Sequence, residues 1–558
     1  MRAAIAAALT ALVGATLATL SPAVITPAEK NAARAIRPER LTMDVRFLAS
    51  DLLEGRGPAT RGDQLARAYI AGRMEGMGLQ PAAPGGSWQQ VFDMVGINTT
   101  SPETVRFARG SEGVDLRVHE DYIAFSGVAR PEVRLEGAEV VFVGYGIVAP
   151  EYQWDDFKGV DLKGKVLLVM NNDPEDDPAL FAGKTRLYYG RWDYKYDLAG
   201  RKGAAGAIII HTTPSAGYKW QVVQTSWTGE QFSLPETGDA ALPVKAWATE
   251  EACRRIVDLA GRDLDALRAA AQKRDFRPVP LGVTVSLVLR NEVQRKQTAN
   301  VIARLPGSDP VLAREAVLYT AHHDHLGTKP GAQPGQDAIY NGALDNASGV
   351  AALLAIAEAM KALPERPRRT ILFAAVAAEE QGLLGSRFLA ANPPVPAGRL
   401  AADINIDGVN IWGPSQDVTV IGLGKSNLDD WIRALAAAQG REVVGDQFPD
   451  RGSFYRSDQF SLARIGVPAA YLKAGTKMIG RPAGWGREQQ EAFEARDYHQ
   501  PSDELGEDWN LAGAVEDAQL LFYLGVRVAN ATPLPAWRAG DEFEAARKKA
   551  QAELSAAP

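Results

Sequence analysis

Three of the six histidines in this 558-residue chain fall within four positions, at His322, His323 and His325, with Asp324 among them. They directly follow an apolar run, 316–321, whose composition predicts a β-strand. A lone histidine beside an apolar segment is most often a packed core residue. A cluster of imidazoles and a carboxylate at a strand end is instead typical of a metal site with nitrogen and oxygen ligands.

Further carboxylates follow the next predicted elements. Asp345 lies in a glycine-punctuated segment, 341–349, that opens a predicted helix, where an acidic residue is equally compatible with a simple helix cap. Glu379 and Glu380 follow the predicted strand 370–377. Adjacent carboxylates at the end of a buried strand repel each other and lose hydration, so positive charge should lie near them.

A third predicted strand, 402–406, ends at Asp407, and His499 lies in a loop much farther along the chain. The carboxyl ends of parallel strands meet at one edge of a sheet, where ligands bind. We therefore expect these side chains to converge there on zinc or a similar ion. The single cysteine, Cys253, excludes a thiolate-rich zinc site and an intrachain disulfide.

Composition narrows the function classes. Lys and Arg total 61 against 68 Asp and Glu, so the net charge is −7 and there is no basic excess for nucleic acid or anionic membranes. Neither a Gly-x-Ser-x-Gly elbow nor a His-Glu-x-x-His helix is present. The dinucleotide-like Gly-x-Gly run at 144–149 is followed by Pro150 and a turn where a helix is required.

The elements that must position these residues alternate strand, helix, strand, helix after residue 298, with helices predicted at 347–362, 383–391, 427–439 and 511–528. This order predicts an α/β fold with a mixed, mostly parallel sheet covered by helices. Between the two parts of that domain the pattern predicts a β-rich insertion. The predicted divisions are a signal peptide at 1–23, the first part of the main domain at 37–134, the insertion with trailing helices at 135–277, the catalytic part at 278–535, and a charged tail at 536–558.

The N-terminus predicts export. Arg2 precedes an uncharged run rich in Ala and Leu, and Ser21-Pro22-Ala23 forms a small-x-small cleavage site. A membrane anchor is the alternative, but the run is only weakly apolar and contains Pro22 and Pro27. The sequence thus predicts a periplasmic or secreted protein with no stable membrane association after signal removal.

Five motifs occur along the chain in this order: Ala-His-x-Asp-His-Leu-Gly, Asn-Gly-Ala-x-Asp-Asn-Ala-Ser-Gly, Ala-Glu-Glu-x-Gly-Leu-x-Gly-Ser, Asn-x-Asp and Tyr-His-x-Pro-x-Asp. Together they resemble the co-catalytic di-zinc aminopeptidase family, which also contains glutamate carboxypeptidase II, glutaminyl cyclase and the transferrin receptor. The insertion resembles a protease-associated domain. The resemblance implies two zinc ions per chain, with His322 and Asp407 on one, Glu380 and His499 on the other, and Asp345 bridging both.

The resemblance also implies roles for three further side chains. Glu379 would be the general base toward a metal-bridging water, Asp324 would orient His322, and Tyr498 would steady the oxyanion. The peptide bond after Asp345 would be cis. His323 stands where the family more often has an aromatic residue, and together with His325 it offers alternative ligands.

The implied function is an exported aminopeptidase that hydrolyses the N-terminal bond of peptide substrates. A glutamate-type carboxypeptidase is the first alternative and needs a basic pocket, for which Arg451, Arg456, Lys473 and Lys477 are candidates. A cyclase is normally shorter and lacks the insertion. A receptor-like binding protein on the same fold is disfavoured because such relatives lose ligands. The sequence predicts neither the side-chain preference nor the oligomeric state.

Overall fold

A computed structural model describes residues 24–177, 179–235, 241–329 and 331–556. The predicted signal peptide, 1–23, lies outside the described residues.

The sheet that carries the predicted metal ligands has a parallel centre. Ala316–His322 pairs in parallel with Thr370–Val376 on one side and with Leu400–Asn405 on the other, and the latter continues in parallel to Ala469–Ala474. Antiparallel strands flank this centre. The strands of this part are Gln80–Pro81, Gln89–Thr100, Val279–Leu305, Ala316–His322, Thr370–Val376, Leu400–Asn405, Asp417–Ile421, Glu442–Gly445 and Ala469–Ala474.

Helices cover both faces of this sheet because successive side chains of each buried strand point to opposite sides. Val317 and Tyr319 pack into the large core beneath Ser348–Lys361, whereas Ala316 and Leu318 pack into a smaller core on the other face. The helices of the chain are Pro27–Ala33, Pro38–Leu48, Arg61–Gly76, Trp192–Arg201, Thr213–Ala216, Trp220–Ser226, Glu250–Leu259, Leu264–Ala271, Ser348–Lys361, Leu384–Ala391, Leu428–Ala438, Gln459–Arg464, Trp485–Arg496, Ala512–Asn530 and Glu544–Ala556.

Ser348–Lys361 is the central helix of the large core. Its Leu353, Leu354 and Ile356 side chains are completely buried, and each such burial contributes about 1.5–3 kcal/mol. Among the described residues, one helical segment, Ala343–Lys361, is long and apolar enough to cross a membrane. Because 89% of its most apolar stretch is buried inside the protein, its apolar character is explained by core packing.

A second, β-rich region has its own cores, whose residues extend from Val105 to Leu289. One 27-residue strand, Val279–Leu305, joins it to the rest, since its first half pairs with Glu132–Phe142 and its end with Thr370–Val376. The remaining strands of the region are Thr104–Arg109, Glu112–Arg117, Tyr122–Ser126, Glu132–Phe142, Val148–Ala149, Trp154–Asp155, Val166–Met170, Gly206–His211, Glu230–Ser233 and Val244–Thr249.

The predicted α/β class with a mixed, mostly parallel sheet is confirmed. The β-rich cores begin at Val105, whereas the sequence placed the start of the insertion at residue 135. The predicted boundary at 277/278 falls just before the shared strand Val279–Leu305. Within the predicted tail, Glu544–Ala556 is helical, and Arg547 Nη1 donates to the Leu400 carbonyl at 2.9 Å.

Candidate metal centre

Three neighbouring parallel strands bring the predicted ligands to one edge of the sheet. His322 is the last residue of its strand, Glu380 follows Thr370–Val376 by four residues, and Asp407 follows Leu400–Asn405 by two. Because the strands are parallel and in register, their carboxyl ends lie side by side. This edge is where the sequence placed the metal site.

A buried arginine holds two of the loops at this edge together. Arg56 is 1% exposed, and its Nε donates to the His323 carbonyl at 2.8 Å. Its two terminal nitrogens donate to the carbonyls of Leu48 at 2.5 Å, Asn341 at 2.6 Å and Gly342 at 2.9 Å. Burial lowers the pKa of Arg56 to about 10, and the side chain still carries its charge at neutral pH.

The first ligand group joins His322, Asp345 and Asp407. His322 Nε2 lies 3.1 Å from Asp345 Oδ1 and 3.5 Å from Asp407 Oδ1. Two ligands bound to one zinc at about 2.0–2.1 Å with tetrahedral angles are about 3.3 Å apart. The spacing of these three side chains therefore fits a shared ion.

The second ligand group uses the other oxygen of the same aspartate. His499 Nε2 lies 3.3 Å from Asp345 Oδ2 and 3.0 Å from Glu380 Oε2. These distances also match those between ligands of one tetrahedral zinc. Asp345 thus directs one oxygen to each group, which is the arrangement that a bridging carboxylate requires.

His325 offers a competing set, because its ring also comes within ligand distance of Asp345 and Glu380. Its Nδ1 lies only 2.6 Å from Glu380 Oε1. A distance this short indicates a charge-assisted hydrogen bond. It is shorter than the distance between two ligand atoms bound to one zinc. The geometry therefore favours His499 as the imidazole ligand and His325 as a partner that orients Glu380.

The backbone around the bridging aspartate is fixed by its neighbours. The carboxylate of Asp503 accepts hydrogen bonds from the backbone N–H groups of Leu344 at 2.9 Å and Asp345 at 3.0 Å. The Asp345–Asn346 peptide bond is cis, as the family resemblance implies. Asn346 Oδ1 accepts from the Gly408 N–H at 2.9 Å, which links this segment to the Asp407 loop.

The electrostatics of the cluster call for added positive charge. Burial lowers the pKa of His499, but the carboxylates of Glu380 and Asp345 outweigh it and raise that pKa to about 10. In the same way the acidic neighbours of His322, with Glu379 foremost, overcome the effect of burial and raise its pKa well above the usual range. The Nε2 atom of His499 is nevertheless buried without a hydrogen-bond partner. A nitrogen and oxygen donor set with excess negative charge fits zinc.

Glu379 stands apart from both ligand groups, although it lines the same cleft as His322 and Asp407. The pKa of Glu379 is raised well above its usual value, first by burial and then by the nearby carboxylates of Glu380, Asp458 and Asp407. A carboxylate with a raised pKa and no ligand partner is suited to accept a proton.

Asp324 lies mainly against the loop of the two glutamates. Its oxygens accept hydrogen bonds from the backbone N–H groups of Glu379 at 3.0 Å and Glu380 at 3.3 Å. The Nδ1 of His322 lies 3.2 Å from the Asp324 backbone carbonyl and 3.8 Å from its carboxylate. Asp324 thus contacts His322 through its main chain and positions the glutamate loop through its side chain.

Tyr498 stacks on the imidazole of His499, and the two ring centroids are 4.0 Å apart. Its hydroxyl accepts a hydrogen bond from Arg456 Nη2 at 3.0 Å. Tyr471 is a second phenol at the site, and its hydroxyl lies 3.4 Å from Asp407 Oδ2. The sequence pointed to Tyr498 through its motif, whereas Tyr471 lies within an apolar strand that carried no signal.

A cleft with an empty volume of about 1050 Å³ is lined by one part of this centre, namely His322, Asp345, Glu379, Asp407, Tyr471 and Tyr498. Its apolar wall includes Leu344, Val409, Trp412 and Phe493. Of the remaining histidines, His323 is buried with its Nε2 3.0 Å from Asp63 Oδ1, so it faces away from the ligand groups.

Sequence reasoning missed Arg56 and Asp503 as supports of this centre. Arg56 lies in the Leu-Glu-Gly-Arg-Gly turn at 53–57, which stood out only as a break between helices. Asp503 is the last residue of the Tyr-His-x-Pro-x-Asp motif, so its signal was present without a role. A charged residue in a glycine-rich turn between apolar helices is a signal that could identify Arg56.

Comparison with known proteins agrees with this geometry. Residues 300–523 match peptidase family M28. Leupeptin-inactivating enzyme 1 of Streptomyces exfoliatus is 28% identical over 217 residues, which are 37% of this chain and 43% of the relative. A probable zinc metalloprotease of Pyrenophora teres f. teres is 40% identical over 110 residues, 20% of this chain and 22% of the relative. The matches span less than half the length of these curated relatives.

Among solved structures, an aminopeptidase from Aneurinibacillus sp. strain AM-1 has the same fold. Its TM-score is 0.51 at 20% identity, over 91% of this chain and 97% of that protein. The family match covers each strand end that carries a predicted ligand, and it includes His322, Asp345, Glu380, Asp407 and His499. Residues 300–523 therefore match peptidase family M28, in agreement with the co-catalytic zinc exopeptidase family that the motifs resemble.

Proposed function

We propose that this protein is a zinc-dependent aminopeptidase that binds two zinc ions. The proposal rests on the Asp345 carboxylate, whose two oxygens face different histidines. Oδ1 lies 3.1 Å from His322 Nε2, and Oδ2 lies 3.3 Å from His499 Nε2. A carboxylate shared between two imidazoles serves two cations at once, and co-catalytic pairs are typically about 3.5–4 Å apart. The match of residues 300–523 to peptidase family M28 supports a peptide as the substrate.

Zinc held by these residues supplies a Lewis acid for the peptide carbonyl and lowers the pKa of water. The proton that water loses passes to Glu379, because this carboxylate lines the cleft and the ligand groups leave it free. Glu379 then delivers the proton to the leaving amine. Glu380 is its immediate neighbour but is held by His325 at 2.6 Å and His499 at 3.0 Å, so the two glutamates have different tasks.

Tyr498 is positioned to stabilise the negative charge that develops on the carbonyl oxygen. Because its hydroxyl oxygen accepts from Arg456, its own hydrogen remains available to donate into the cleft. The positive charge of the Arg456 guanidinium, which also lines the cleft, strengthens that donor. A fixed donor of this kind is worth about 2.7–4 kcal/mol of transition-state stabilisation.

The positive groups of the cleft favour an aminopeptidase over a carboxypeptidase. Arg451 is paired with Glu494, and Arg456 is engaged by Tyr498. Lys477 is exposed and paired with Glu442, and it is not among the cleft residues. Within the described residues, Lys473 is the one candidate of the four that lines the cleft without an ion pair or side-chain hydrogen bond, so a substrate carboxylate would meet a single free cation there and no basic pocket.

Blocked peptides separate the two activities. We expect Leu-Gly-Gly with a free amine and an amidated C-terminus to be hydrolysed, and its N-acetylated form with a free C-terminus to be left intact. Both assays should be run on the zinc-loaded protein and after removal of zinc with a chelator. Cleavage of the acetylated peptide alone would establish the carboxypeptidase, and zinc binding without cleavage of either would favour the receptor-like alternative.

We further propose that the protein is exported to the periplasm or secreted, with the segment 1–23 as its signal peptide and the insertion 135–277 as a protease-associated domain. The support is the charged start, the Ala and Leu run and the small-x-small site. N-terminal sequencing of the mature protein from the periplasm or medium tests the export. A mature chain that retains residues 1–23 would contradict the signal peptide.

A further inference from the structure

The β-rich region reaches the metal centre through the helix Trp220–Ser226. The Oγ of Ser226, the last residue of that helix, lies 2.9 Å from Nδ1 of His499. The two residues are 273 positions apart in sequence. The opposite ring nitrogen, Nε2, is the atom that faces Asp345 and Glu380. Ser226 thus contacts Nδ1 of His499, the ring nitrogen that does not face the proposed metal position.

The serine is carried by a firmly packed element. Val223 in the same helix is completely buried, and Trp220 Nε1 donates to the His119 carbonyl at 2.7 Å. Trp227, which follows Ser226 directly, stacks on Phe125 with ring centroids 5.2 Å apart. A side chain on such an element is held in place by packing on both sides, which is what orientation of a ligand requires.

Zinc binding at Nε2 would determine which nitrogen of His499 carries the proton, and the Ser226 hydroxyl is placed to accept that proton in a hydrogen bond. Stacking on Tyr498 fixes the plane of the ring but does not by itself determine the tautomer. A zinc ligand nitrogen must be unprotonated, so the proton of a neutral imidazole must lie on Nδ1, and Nδ1 needs an acceptor. Ser226 Oγ provides that acceptor at hydrogen-bond distance.

A second contact from the same region supports the neighbouring ligand. The backbone N–H of Phe232 donates to Gln381 Oε1 at 3.1 Å, and Gln381 directly follows Glu380. Phe232 belongs to the strand Glu230–Ser233, which pairs with Gln89–Thr100. The β-rich region therefore contacts His499 itself and Gln381, the residue after Glu380. His499 and Glu380 are the two side chains specific to the second ligand group.

We infer that Ser226 is a positioning residue of the Glu380 and His499 metal site, so that the β-rich region completes this site from outside the M28 segment. The inference rests on the proposed di-zinc function. Groups that hydrogen-bond to a metal-bound histidine typically change metal affinity by about 10–100-fold when they are removed. The effect should fall on one zinc, because His322 has its own partner in the Asp324 carbonyl.

The test measures zinc affinity directly, by competition with a chromophoric chelator, on the wild type, Ser226→Ala and Ser226→Thr. We expect Ser226→Ala to bind the weaker or second zinc about 10–100-fold less tightly and the other zinc within about twofold of the wild type. Ser226→Thr keeps the hydroxyl and should restore the affinity. Thr225→Ala is the matched control, since the Thr225 hydroxyl bonds only within its own helix, to Gln221 and Val222 carbonyls.

Thermal unfolding of the zinc-free proteins checks that the variants fold, and Ser226→Gly replaces Ser226→Ala if that variant does not. If the wild type binds two zinc ions and Ser226→Ala or Ser226→Gly binds both with unchanged affinity, this inference is overturned and the proposed function is not. An equal loss at both sites would also overturn the inference. A wild-type chain that binds fewer than two zinc ions would overturn the proposed function and this inference with it.

Discussion

Replacement of Glu379 by glutamine removes a proton acceptor and leaves the shape of the site intact. Within the described part of the chain, the Glu379 side chain takes part in no ion pair or hydrogen bond. Its position depends on its backbone N–H, which donates to Asp324 at 3.0 Å, and glutamine keeps that contact. The Glu379→Gln protein should therefore fold normally and bind zinc as the wild type does.

The rate should fall steeply because nothing else in the cleft replaces this group. General acid and base catalysis contributes about 10²–10⁴-fold, so the activation free energy should rise by roughly 3–5 kcal/mol. The fall should appear in kcat, because the lost interaction is with a proton that moves only during the reaction. The assay is hydrolysis of leucine p-nitroanilide at saturating zinc, with zinc per chain measured on the same samples.

The adjacent Glu380→Gln is the matched comparison. Glu380 is held between His325 and His499, so its replacement should reduce the bound zinc toward one per chain at low free zinc. Activity of Glu379→Gln within about tenfold of the wild type would refute the assignment of the base. Equal zinc loss in both variants would show that the two glutamates do not have separate tasks.

Three further predictions concern stability and specificity. Arg56→Ala leaves four buried carbonyl acceptors without their donor, so urea unfolding should show a loss of about 3–5 kcal/mol; a loss below about 1 kcal/mol would contradict its role. Burial lowers the pKa of His211 from 6.5 to about 4, so the unfolded state binds more protons between these values. The free energy of unfolding that depends on neutral His211 is fully present above pH 6.5, and up to about 3 kcal/mol of it is lost as the pH falls to 4. The free energy of unfolding of His211→Gln should fall less over this interval. Parallel plots of unfolding free energy against pH for the two proteins would contradict the burial effect. Trp412→Ala should lower kcat/KM for leucine substrates about tenfold relative to glycine substrates, because Trp412 lies in the apolar wall of the cleft; an unchanged ratio would place the substrate side chain elsewhere.

The convergence of His322, Glu380 and Asp407 at one edge of the sheet could be predicted from the sequence because the relevant information is local. His322 ends an apolar strand, and Asp407 and Glu380 follow theirs by two and four residues. Parallel strands place such residues together. The helices predicted at 347–362 and 383–391 are observed at Ser348–Lys361 and Leu384–Ala391, because their apolar spacing is regular.

The support of the site could not be predicted in the same way. The contacts of Ser226 with His499 and of Arg56 with the Asn341 carbonyl join residues 273 and 285 positions apart, and no local pattern encodes them. The resemblance implied His499 as the ligand of Glu380's ion, but no pattern in the sequence indicated that His325 also lies close to Glu380, which only the distances show. The long strand Val279–Leu305 also serves two regions at once, which a division into consecutive domains does not anticipate.

The most direct test of the central claim is a zinc titration of the chelator-treated protein, with leucine p-nitroanilide hydrolysis measured at each zinc equivalent. Asp345 joins two ligand groups that meet the same geometric requirement, so both ions should be needed for full activity. We predict negligible hydrolysis without zinc and a plateau at two equivalents per chain. Full activity in the zinc-free protein, or a plateau at one equivalent with no further zinc bound, would contradict the account.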